Sequence, residues 1–282
     1  MIEVLRAGAL TTVQDLGRPG WAHLGVPRSG ALDPDALRLA NRLVGNPESA
    51  AGLEITLTGC ELRFRLAATV ALTGADVAVR VGGRPGDTGR PLSVSAGAVL
   101  RVDAPRAGLR TWLAVGGGIA VEPVLGSRAT DTLSGLGPPP LRDGDRLPVG
   151  APAGPPAPVD VTVAPPVPDE VRLTVRLGPR DDWFTAAARD RLLRSAYAVS
   201  PLSNRVGARL TGAPLPRAVA GELPSEGIVL GAVQVPADGQ PLVFLADHPT
   251  TGGYPVIGVV DDVTPLAQAR PGTTVRFHGP QR

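Results

Sequence analysis

Lysine is absent from this 282-residue chain, so all 28 of its basic side chains are arginine. Without lysine the chain cannot form a Schiff base, supply the lysine of a P-loop or carry biotin on its own side chains. Cysteine is almost absent as well, and the single Cys60 excludes an internal disulfide and a thiolate zinc cluster. Only three histidines are available as ligands, and we predict no metal site.

Blocks of one charge and long apolar runs are also missing. The 28 basic and 26 acidic side chains are interspersed and give a net charge of +2, which argues against nucleic-acid binding. No apolar run approaches the roughly 18–20 residues that span a bilayer, and the first residues lack the regions of a signal peptide. The sequence therefore predicts a cytoplasmic protein that binds neither nucleic acid nor a membrane.

Glycine and proline are abundant instead. Their 36 and 31 residues follow no regular period and favour many short strands joined by turns over long helices. Residues 150–170 are rich in proline and alanine, which is typical of a semi-rigid linker that could hold one short edge strand. We expect the domain boundary in this linker and divide the chain into domains 1–155 and 156–282. Each half then has one helix and several strands, which suggests two related β-barrel units.

Two helices are predicted from capping residues and apolar periodicity. The first has Asp33 as its N-cap, Pro34 at its first position and Gly45 just beyond its end. Its apolar stripe consists of Ala36, Leu37, Ala40, Leu43 and Val44, and its opposite face of Arg38, Asn41 and Arg42. The second helix covers residues 184–194, with Thr185 as N-cap.

A polar cluster precedes the first predicted helix, within residues 11–46. Its members are Gln14, Asp15, Arg18, His23, Arg28, Ser29 and Asp33. Such a loop could bind anions, because arginine and the N–H groups at a helix start both attract them. The residue types leave a second interpretation equally open, in which the loop is merely solvated and Asp33 only caps the helix.

A second polar cluster lies in residues 203–254. Its members are Asn204, Arg205, Arg209, Glu222, Ser225, Glu226, Gln234, Asp238, Gln240, Asp247, His248, Thr250, Thr251 and Tyr254. The loop Thr250–Tyr254 offers two hydroxyls, two glycines and a phenol, and could hold a small polar substrate or a phosphate, although a bulge or turn is equally open. Asp247 and His248 could form an acid–base pair, but neighbours on a strand point to opposite faces.

Three further patterns predict structure rather than chemistry. Asp238-Gly239 lies between two apolar runs and predicts a hairpin turn. Gly116–Gly118 lacks the spacing of a dinucleotide-binding loop, so a tight turn is favoured. Cys60 at a strand start is expected to be a small buried residue.

Longer motifs follow one another along nearly the whole chain. They read TTVQDLGRPGWAHLGVPRSGALDPDALRLANRLVGN, LEITLTGCELRF, LAVGGGI with LGSRAT, SNRVGARLTG, SEGIVLGAVQVPADGQP and HPTTGGYPVIGVV. In this order they resemble the biotin-dependent carboxyltransferase family, which includes the C subunit of 5-oxoprolinase, KipA-type proteins and allophanate hydrolase subunit 2. One segment departs from the family pattern, because Pro138-Pro139-Pro140 replaces flexible residues in a loop that could close over a ligand.

The resemblance implies a mainly β fold of two cyclophilin-like β-barrel domains with few helices. It implies two partners, the KipI-like B subunit and the LamB/YcsF-like A subunit of 5-oxoprolinase, in complexes that open 5-oxoproline to glutamate with ATP hydrolysis. ATP could be bound by a partner, and biotin would have to arrive on another chain. Two alternatives stay open: a carboxyltransferase module that moves carboxylate from carboxybiotin to a urea-like acceptor, and a non-catalytic KipA-type regulator that binds a KipI-type kinase inhibitor.

Within this hypothesis His248, Asp247 or Glu226 would act as the general base. The expected substrate-binding residues are Arg18, His23, Arg28, Ser29, Asn204, Arg205, Arg209, Gln234, Thr250, Thr251, Gly252, Gly253 and Tyr254. We expect the two polar clusters to converge on one cleft between the domains. The side chains expected to face it are Arg28, Arg205, His248, Thr251 and Tyr254. Replacing Arg205 or Tyr254 should then lower activity without unfolding the chain.

Overall fold

A computed structural model describes residues 1–156, 162, 167–221 and 223–280. The chain forms two compact units: Met1–Arg18 with Ser29–Val167, and Pro19–Arg28 with Pro168–Arg282. The segment Pro19–Arg28 thus belongs to the second unit although the first unit flanks it on both sides, which the sequence did not reveal. Residues 157–161 and 163–166 of the linker 150–170, in which one short edge strand was expected, and the candidate Glu222 lie outside the described residues. The domain limits 1–155 and 156–282 stay a prediction.

The first unit contains two antiparallel sheets. Its strands are β1 (Ile2–Arg6), β2 (Leu10–Gln14), β3 (Gly52–Thr56), β4 (Cys60–Phe64), β5 (Ala68–Asp76), β6 (Val79–Val81), β7 (Arg84–Gly86), β8 (Leu92–Val94), β9 (Val99–Val102), β10 (Ala107–Val115) and β11 (Arg146–Leu147). One sheet has the order β11-β1-β4-β9-β6-β7 and the other β2-β3-β10-β5-β8. Alternate side chains such as Leu62 and Phe64 from one sheet and Leu72 and Leu113 from the other share one buried core.

Helix α1 (Pro34–Leu43) covers the opposite face of the five-stranded sheet. Asp33 accepts a hydrogen bond from the Ala36 N–H at 2.9 Å, so the predicted N-cap is confirmed. The helix meets the small side chains Ala71 and Ala114, which allow a close approach. Asn41 was expected on the polar face but is fully buried. Its side-chain amide can be buried because it donates to the Ala50 carbonyl at 2.8 Å.

The second unit is built around a closed seven-stranded barrel of order β12-β19-β16-β17-β14-β13-β20. Its strands are β12 (Glu170–Leu177), β13 (Ala196–Val199), β14 (Gly207–Gly212), β15 (Glu226–Gly227), β16 (Ala232–Gln234), β17 (Leu242–Phe244), β18 (Thr251–Gly252), β19 (Val256–Val260) and β20 (Thr274–His278). Strands β12 and β20 pair in parallel and the other barrel neighbours are antiparallel. Strands β15 and β18 form a separate two-stranded sheet.

Local signals in the second unit are also confirmed. Helix α2 (Ala186–Arg194) begins after Thr185, whose hydroxyl accepts from the Ala188 N–H at 3.0 Å. Gly239 has a φ of 75° in the hairpin turn between β16 and β17. With two α-helices among the described residues and a closed barrel, the mainly β class is confirmed. No helix in the described ranges is long and apolar enough to cross a membrane.

Candidate functional site

The first polar cluster lies where the chain leaves the first unit, after Arg18, and where it returns to that unit, at Ser29. The Ala31 N–H donates to the Asp15 carbonyl at 2.9 Å, which joins the outgoing and returning segments. A Cβ at Gly30 would lie 2.8 Å from the Gly17 nitrogen, and the φ of Gly30 is +96°, so glycine is required here. These contacts fix the first-unit ends of the loop that contains Pro19–Arg28.

The carboxylate of Asp15 holds a second segment of the chain beside this junction. It accepts from the Gly17 N–H at 2.8 Å, from the Ser127 hydroxyl at 2.6 Å and from the Arg128 N–H at 2.6 Å. Residues 127–130 are therefore fixed next to 14–18, although more than 100 positions separate them in the sequence. Sequence reasoning identified the LGSRAT motif but assigned no role to its Ser127 and Thr130.

Arg18 is buried in this cluster, with 1% of its surface exposed. Its Nη2 donates to the Ala129 carbonyl and its Nε to the Val124 carbonyl at 3.4 Å. Its Nη1 has no hydrogen-bond partner in the described structure. Gly137 lies close to the same guanidinium, since a Cβ there would be 3.2 Å from Nη2 and 2.1 Å from the Ala129 oxygen.

Two neighbours of Arg18 also leave polar atoms unpaired. The Gln14 amide nitrogen donates to the Thr130 carbonyl and to the Thr12 hydroxyl, both at 3.0 Å. This bond to a carbonyl fixes the orientation of the amide and leaves Oε1 as a buried acceptor without a partner. The Thr130 hydroxyl is likewise buried and unpaired, while the predicted Ser29 donates its hydroxyl to the Thr130 carbonyl at 3.0 Å.

In the second unit, Arg205 and Asp247 form a bidentate ion pair. The Nε–Oδ2 distance is 2.9 Å and the Nη2–Oδ1 distance is 3.0 Å, and both side chains are fully buried. Both carboxylate oxygens of Asp247 are thus engaged by one guanidinium. This arrangement suits the positioning of neighbouring residues better than general-base catalysis or direct substrate binding.

His248 follows this pair and is the predicted base with the most suitable hydrogen bonding. Its Nδ1 lies 2.7 Å from the Pro249 carbonyl oxygen, so Nδ1 must carry the proton of that bond. In the neutral ring Nε2 then holds the lone pair that can accept a proton. The ring is 8% exposed and lies 6.3 Å from the ring of Phe244, centroid to centroid.

Glu226, the third predicted base, is held by Arg180. The Arg180 Nε lies 3.0 Å from both carboxylate oxygens, and Nη2 also donates to Oε1. These bonds from a cation lower the pKa of Glu226 below its ordinary value. A carboxylate with a lowered pKa is a weaker base, so Glu226 is less suited to that role than His248.

The predicted Thr250–Tyr254 loop is built on the two-stranded sheet, in which Gly252 pairs with Glu226. A Cβ at Gly252 would lie 2.8 Å from the Gln234 amide nitrogen, which donates to the Tyr254 carbonyl at 3.1 Å. The Tyr254 ring is half exposed, and the Arg217 guanidinium carbon lies 5.7 Å from its centroid. Thr251 and Gly253 are exposed beside it. Sequence reasoning did not identify Arg217, which is distant in the chain.

The remaining predicted binding residues are His23, Arg28, Asn204 and Arg209, and each has its own local environment. Segment Pro19–Arg28 presents exposed His23 and Arg28, and a Cβ at its Gly25 would lie 4.0 Å from the Thr250 hydroxyl oxygen. Asn204 is used locally, because its Oδ1 accepts from the Val206 N–H at 2.9 Å and from the next N–H along the chain. Arg209 is exposed on β14. The convergence of both clusters on one cleft stays a prediction.

Two other features carry structural roles. Cys60 is fully buried as expected, and burial raises the pKa of its thiol to about 12, so it is not a nucleophile at neutral pH. The Gly116–Gly118 turn approaches its own chain, since a Cβ at Gly117 would lie 2.1 Å from the Gly150 oxygen. The described residues contain no group of three or more side chains with metal-binding character.

Comparison with known proteins identifies the class of this chain. A family model described as the carboxyltransferase domain, subdomain A and B, matches residues 24–279, and the chain belongs to this family. The chain is 42% identical to the 5-oxoprolinase C subunit of Escherichia coli over 98% of its own length and 90% of that protein. It is also 33% identical to the urea amidolyase of Lachancea kluyveri, over 98% of this chain and 17% of that protein.

Two solved structures are also similar to this chain. The crystal structure of TTHA0988 matches with a TM-score of 0.88 and 37% identity over 99% of this chain, which spans 55% of that protein. The Kluyveromyces lactis urea amidolyase matches with a TM-score of 0.91 and 29% identity over 99% of this chain, which spans 19% of that protein. The chain is therefore about half the length of the first protein and a fifth of the second.

Proposed function

We propose that this chain is the C subunit of an ATP-dependent 5-oxoprolinase, a multi-subunit enzyme that opens 5-oxo-L-proline to L-glutamate. The observation that carries the proposal is the 42% identity to a protein of that name over 98% of this chain and 90% of the relative. A second 5-oxoprolinase C subunit, from Haemophilus influenzae, is 32% identical over the same shares. The proposed partners are the KipI-like B subunit and the LamB/YcsF-like A subunit.

We assign ATP to one of these partners, because this chain lacks the lysine of a P-loop and its glycine triplet is occupied by contacts within the chain. The chain has no lysine and so no P-loop lysine. The Gly117 N–H donates to the Asn46 side-chain oxygen at 2.8 Å. The Gly150 carbonyl oxygen lies on the other side, where a Cβ at Gly117 would be only 2.1 Å away. Cleavage of ATP is therefore assigned to the partner that binds it.

The chain itself supplies groups suited to hydrolysis of a cyclic amide. Water must add to the ring carbonyl carbon, the carbon–nitrogen bond must break, and the nitrogen must gain a proton. The Nε2 of His248 can take the proton of the attacking water and return it to the leaving nitrogen. The hydroxyls and backbone of Thr250–Tyr254, on the strand pair that follows His248, can bind polar groups of the substrate.

The test is reconstitution of the complex. The chain should be co-expressed and co-purified with the subunits encoded beside it, and glutamate and ADP should be measured with 5-oxoproline as substrate. We expect both products in equal amounts from the complex and almost none from this chain alone. Strong turnover by the pure isolated chain, or none by a stable complex, would contradict the proposal.

A second candidate is carboxyl transfer from carboxybiotin on a partner to a urea-like acceptor. It is favoured by the urea amidolyase of Lachancea kluyveri, which matches nearly all of this chain. Biotin would have to be attached to another protein, because this chain has no lysine. A biotin carboxylase gene beside this one and carboxylation of urea by the co-purified complex, without glutamate formation from 5-oxoproline, would replace the first proposal with this one.

A further inference from the structure

We infer that a cleft in the second unit binds a small organic dicarboxylate. The cleft is lined by Arg191 of α2, the segment Pro214–Gly221 and the hairpin turn Ala237–Gly239, and we name it the Arg191–Arg217 cleft. Its volume of about 610 Å³ lies within the roughly 300–1,000 Å³ of ligand-binding pockets. All of its lining residues belong to one compact unit. The inference goes beyond the proposed function, which makes no use of this cleft.

Backbone carbonyls restrain both guanidinium groups of the cleft. Arg191 Nη1 donates to the Pro214 carbonyl at 2.7 Å, and Arg217 Nη2 donates to the Val235 carbonyl at 2.8 Å. The Arg217 guanidinium also lies against the Tyr254 ring, with its carbon 5.7 Å from the ring centroid. Because both cations are already restrained, a ligand that binds them loses little side-chain freedom.

The positive charge of the two arginines is the main argument for an anionic ligand. Both side chains are half-buried, and no carboxylate in the ranges that the structure describes forms an ion pair with either. The neighbouring Arg189 on α2, by contrast, lies 3.6 Å from the Asp181 carboxylate. Arg191 Nε and Nη2 and Arg217 Nη1 make no hydrogen bond in the described structure, and none of these atoms is buried. The cleft therefore offers two cations with free donors.

The other lining residues select the class of anion. Pro214, Leu215, Pro216 and Val219 provide apolar surface, which favours an organic frame over a bare inorganic ion. Each guanidinium can bind one carboxylate through two parallel hydrogen bonds. Asp238 is the acidic residue among those that line the cleft, and with the two arginines it gives a net charge of +1. A short apolar chain with a carboxylate at each end fits these groups.

Glutarate is the probe, because three methylene groups join its two carboxylates. Its dissociation constant should be measured calorimetrically on the full chain at low salt. We expect Arg191→Gln and Arg217→Gln each to weaken binding about tenfold or more, since each removes charge-assisted hydrogen bonds. Arg194→Gln is the matched control and should leave the affinity unchanged, because Arg194 is exposed on the same helix but does not line the cleft.

Asp238→Asn should have the opposite effect and strengthen glutarate binding severalfold. It removes a negative charge from the lining, while asparagine can still accept from the Gln240 N–H, as Asp238 Oδ1 does at 3.0 Å. Asn-Gly also suits the hairpin turn as well as Asp-Gly does. A substitution that only disturbed the fold would not tighten binding, so this variant separates the charge of the cleft from its stability. Thermal unfolding should be measured for every variant.

Related ligands and one further variant locate the binding site. Butyrate, which has one carboxylate, and inorganic phosphate, which has no apolar chain, should both bind more weakly than glutarate. His248→Asn should bind glutarate as the wild type does, because His248 does not line the cleft. Loss of glutarate binding in His248→Asn would place the ligand at the proposed catalytic residue and overturn the inference.

Three other results would also overturn the inference. One is the absence of glutarate binding to the wild type. Another is equal affinity of the wild type, Arg191→Gln and Arg217→Gln. The third is phosphate binding as tight as glutarate binding, which would show that the apolar lining does not contribute. The formation of glutamate by the assembled complex tests the proposed function separately, so failure of one does not imply failure of the other.

Discussion

Arg205 and Asp247 are 42 residues apart in sequence but form a fully buried bidentate ion pair, with distances of 2.9 and 3.0 Å. Strands β14 and β17 are neighbours, and Gly207 of β14 lies opposite Phe244 of β17. Arg205 precedes β14 and Asp247 follows β17, so the ion pair lies at the same end of both strands. The Asp247 N–H also donates to the Arg205 carbonyl at 3.1 Å. Since His248 follows directly, the ion pair fixes the backbone that presents the proposed base.

Arg205→Ala should destabilise the chain by roughly 3–5 kcal/mol, because it leaves the Asp247 carboxylate buried without its cation. This reverses the sequence-based expectation that Arg205 could be replaced without unfolding, which assumed a solvated side chain. Urea unfolding measures the difference. Arg209→Ala, an exposed arginine nearby, is the control and should change stability by no more than about 0.5 kcal/mol. Equal stability of the two variants would contradict this account.

The ion pair between Glu226 and Arg180 predicts a dependence on pH. Because Arg180 lowers the folded-state pKa of Glu226 below its ordinary 4.5, this carboxylate stabilises the fold above about pH 4.5. That contribution disappears as the pH falls through the folded-state pKa. In Arg180→Gln we expect Glu226 to titrate near its ordinary value in carboxyl NMR spectra.

The stability difference between wild type and Arg180→Gln should therefore be present at pH 7 and shrink at pH 3. Since both side chains are partly exposed, added salt should reduce the difference at pH 7. A wild-type Glu226 that titrates at or above 4.5 would show that the ion pair is absent in solution.

Sequence signals predicted local structure well, because the interactions concerned span only a few residues. Asp33 bonds to the N–H three residues ahead, and Thr185 does the same for α2, so each cap is encoded beside its helix. Asn41 was placed wrongly, on the polar face of α1. Its buried side chain is satisfied by the Ala50 carbonyl, an acceptor outside the helix that periodicity does not reveal.

The candidate site was predicted only in part, because its contacts join distant segments. The Arg18 side chain bonds to Ala129 across 111 positions, and Gln14 to Thr130 across 116. Residue types identified Arg18 as polar and well placed for an anion, but not as buried. No periodic pattern in the sequence indicates that Pro19–Arg28 belongs to the second unit.

His248→Asn should abolish most of the activity of the assembled complex while leaving the fold intact. An asparagine amide can still donate to the Pro249 carbonyl, as Nδ1 does, but it lacks the basic Nε2. Loss of a general base lowers turnover by about 10²–10⁴. His278→Asn is the matched control, since its Nδ1 also lies near the carbonyl of the next residue, at 3.1 Å. Full turnover by His248→Asn would remove this histidine from the mechanism.

Gly252 and Gly253 offer a test of the loop that follows His248, because only one of them lacks room for a side chain. A Cβ at Gly252 would lie 2.8 Å from the Gln234 amide nitrogen and 3.3 Å from Ile228, whereas the nearest atom to a Cβ at Gly253 is 3.5 Å away. Gly252→Ala must displace the Gln234 amide, which donates to the Tyr254 carbonyl.

Loss of that bond should cost about 1 kcal/mol of stability and release the backbone that positions Tyr254. We therefore expect Gly252→Ala to raise the KM of the assembled complex severalfold, and Gly253→Ala to change neither stability nor KM. Thermal unfolding and steady-state kinetics on the two variants measure both effects. If Gly253→Ala were the more damaging substitution, the loop would act through its exposed surface, and the anchoring of Tyr254 by Gln234 would not matter for activity.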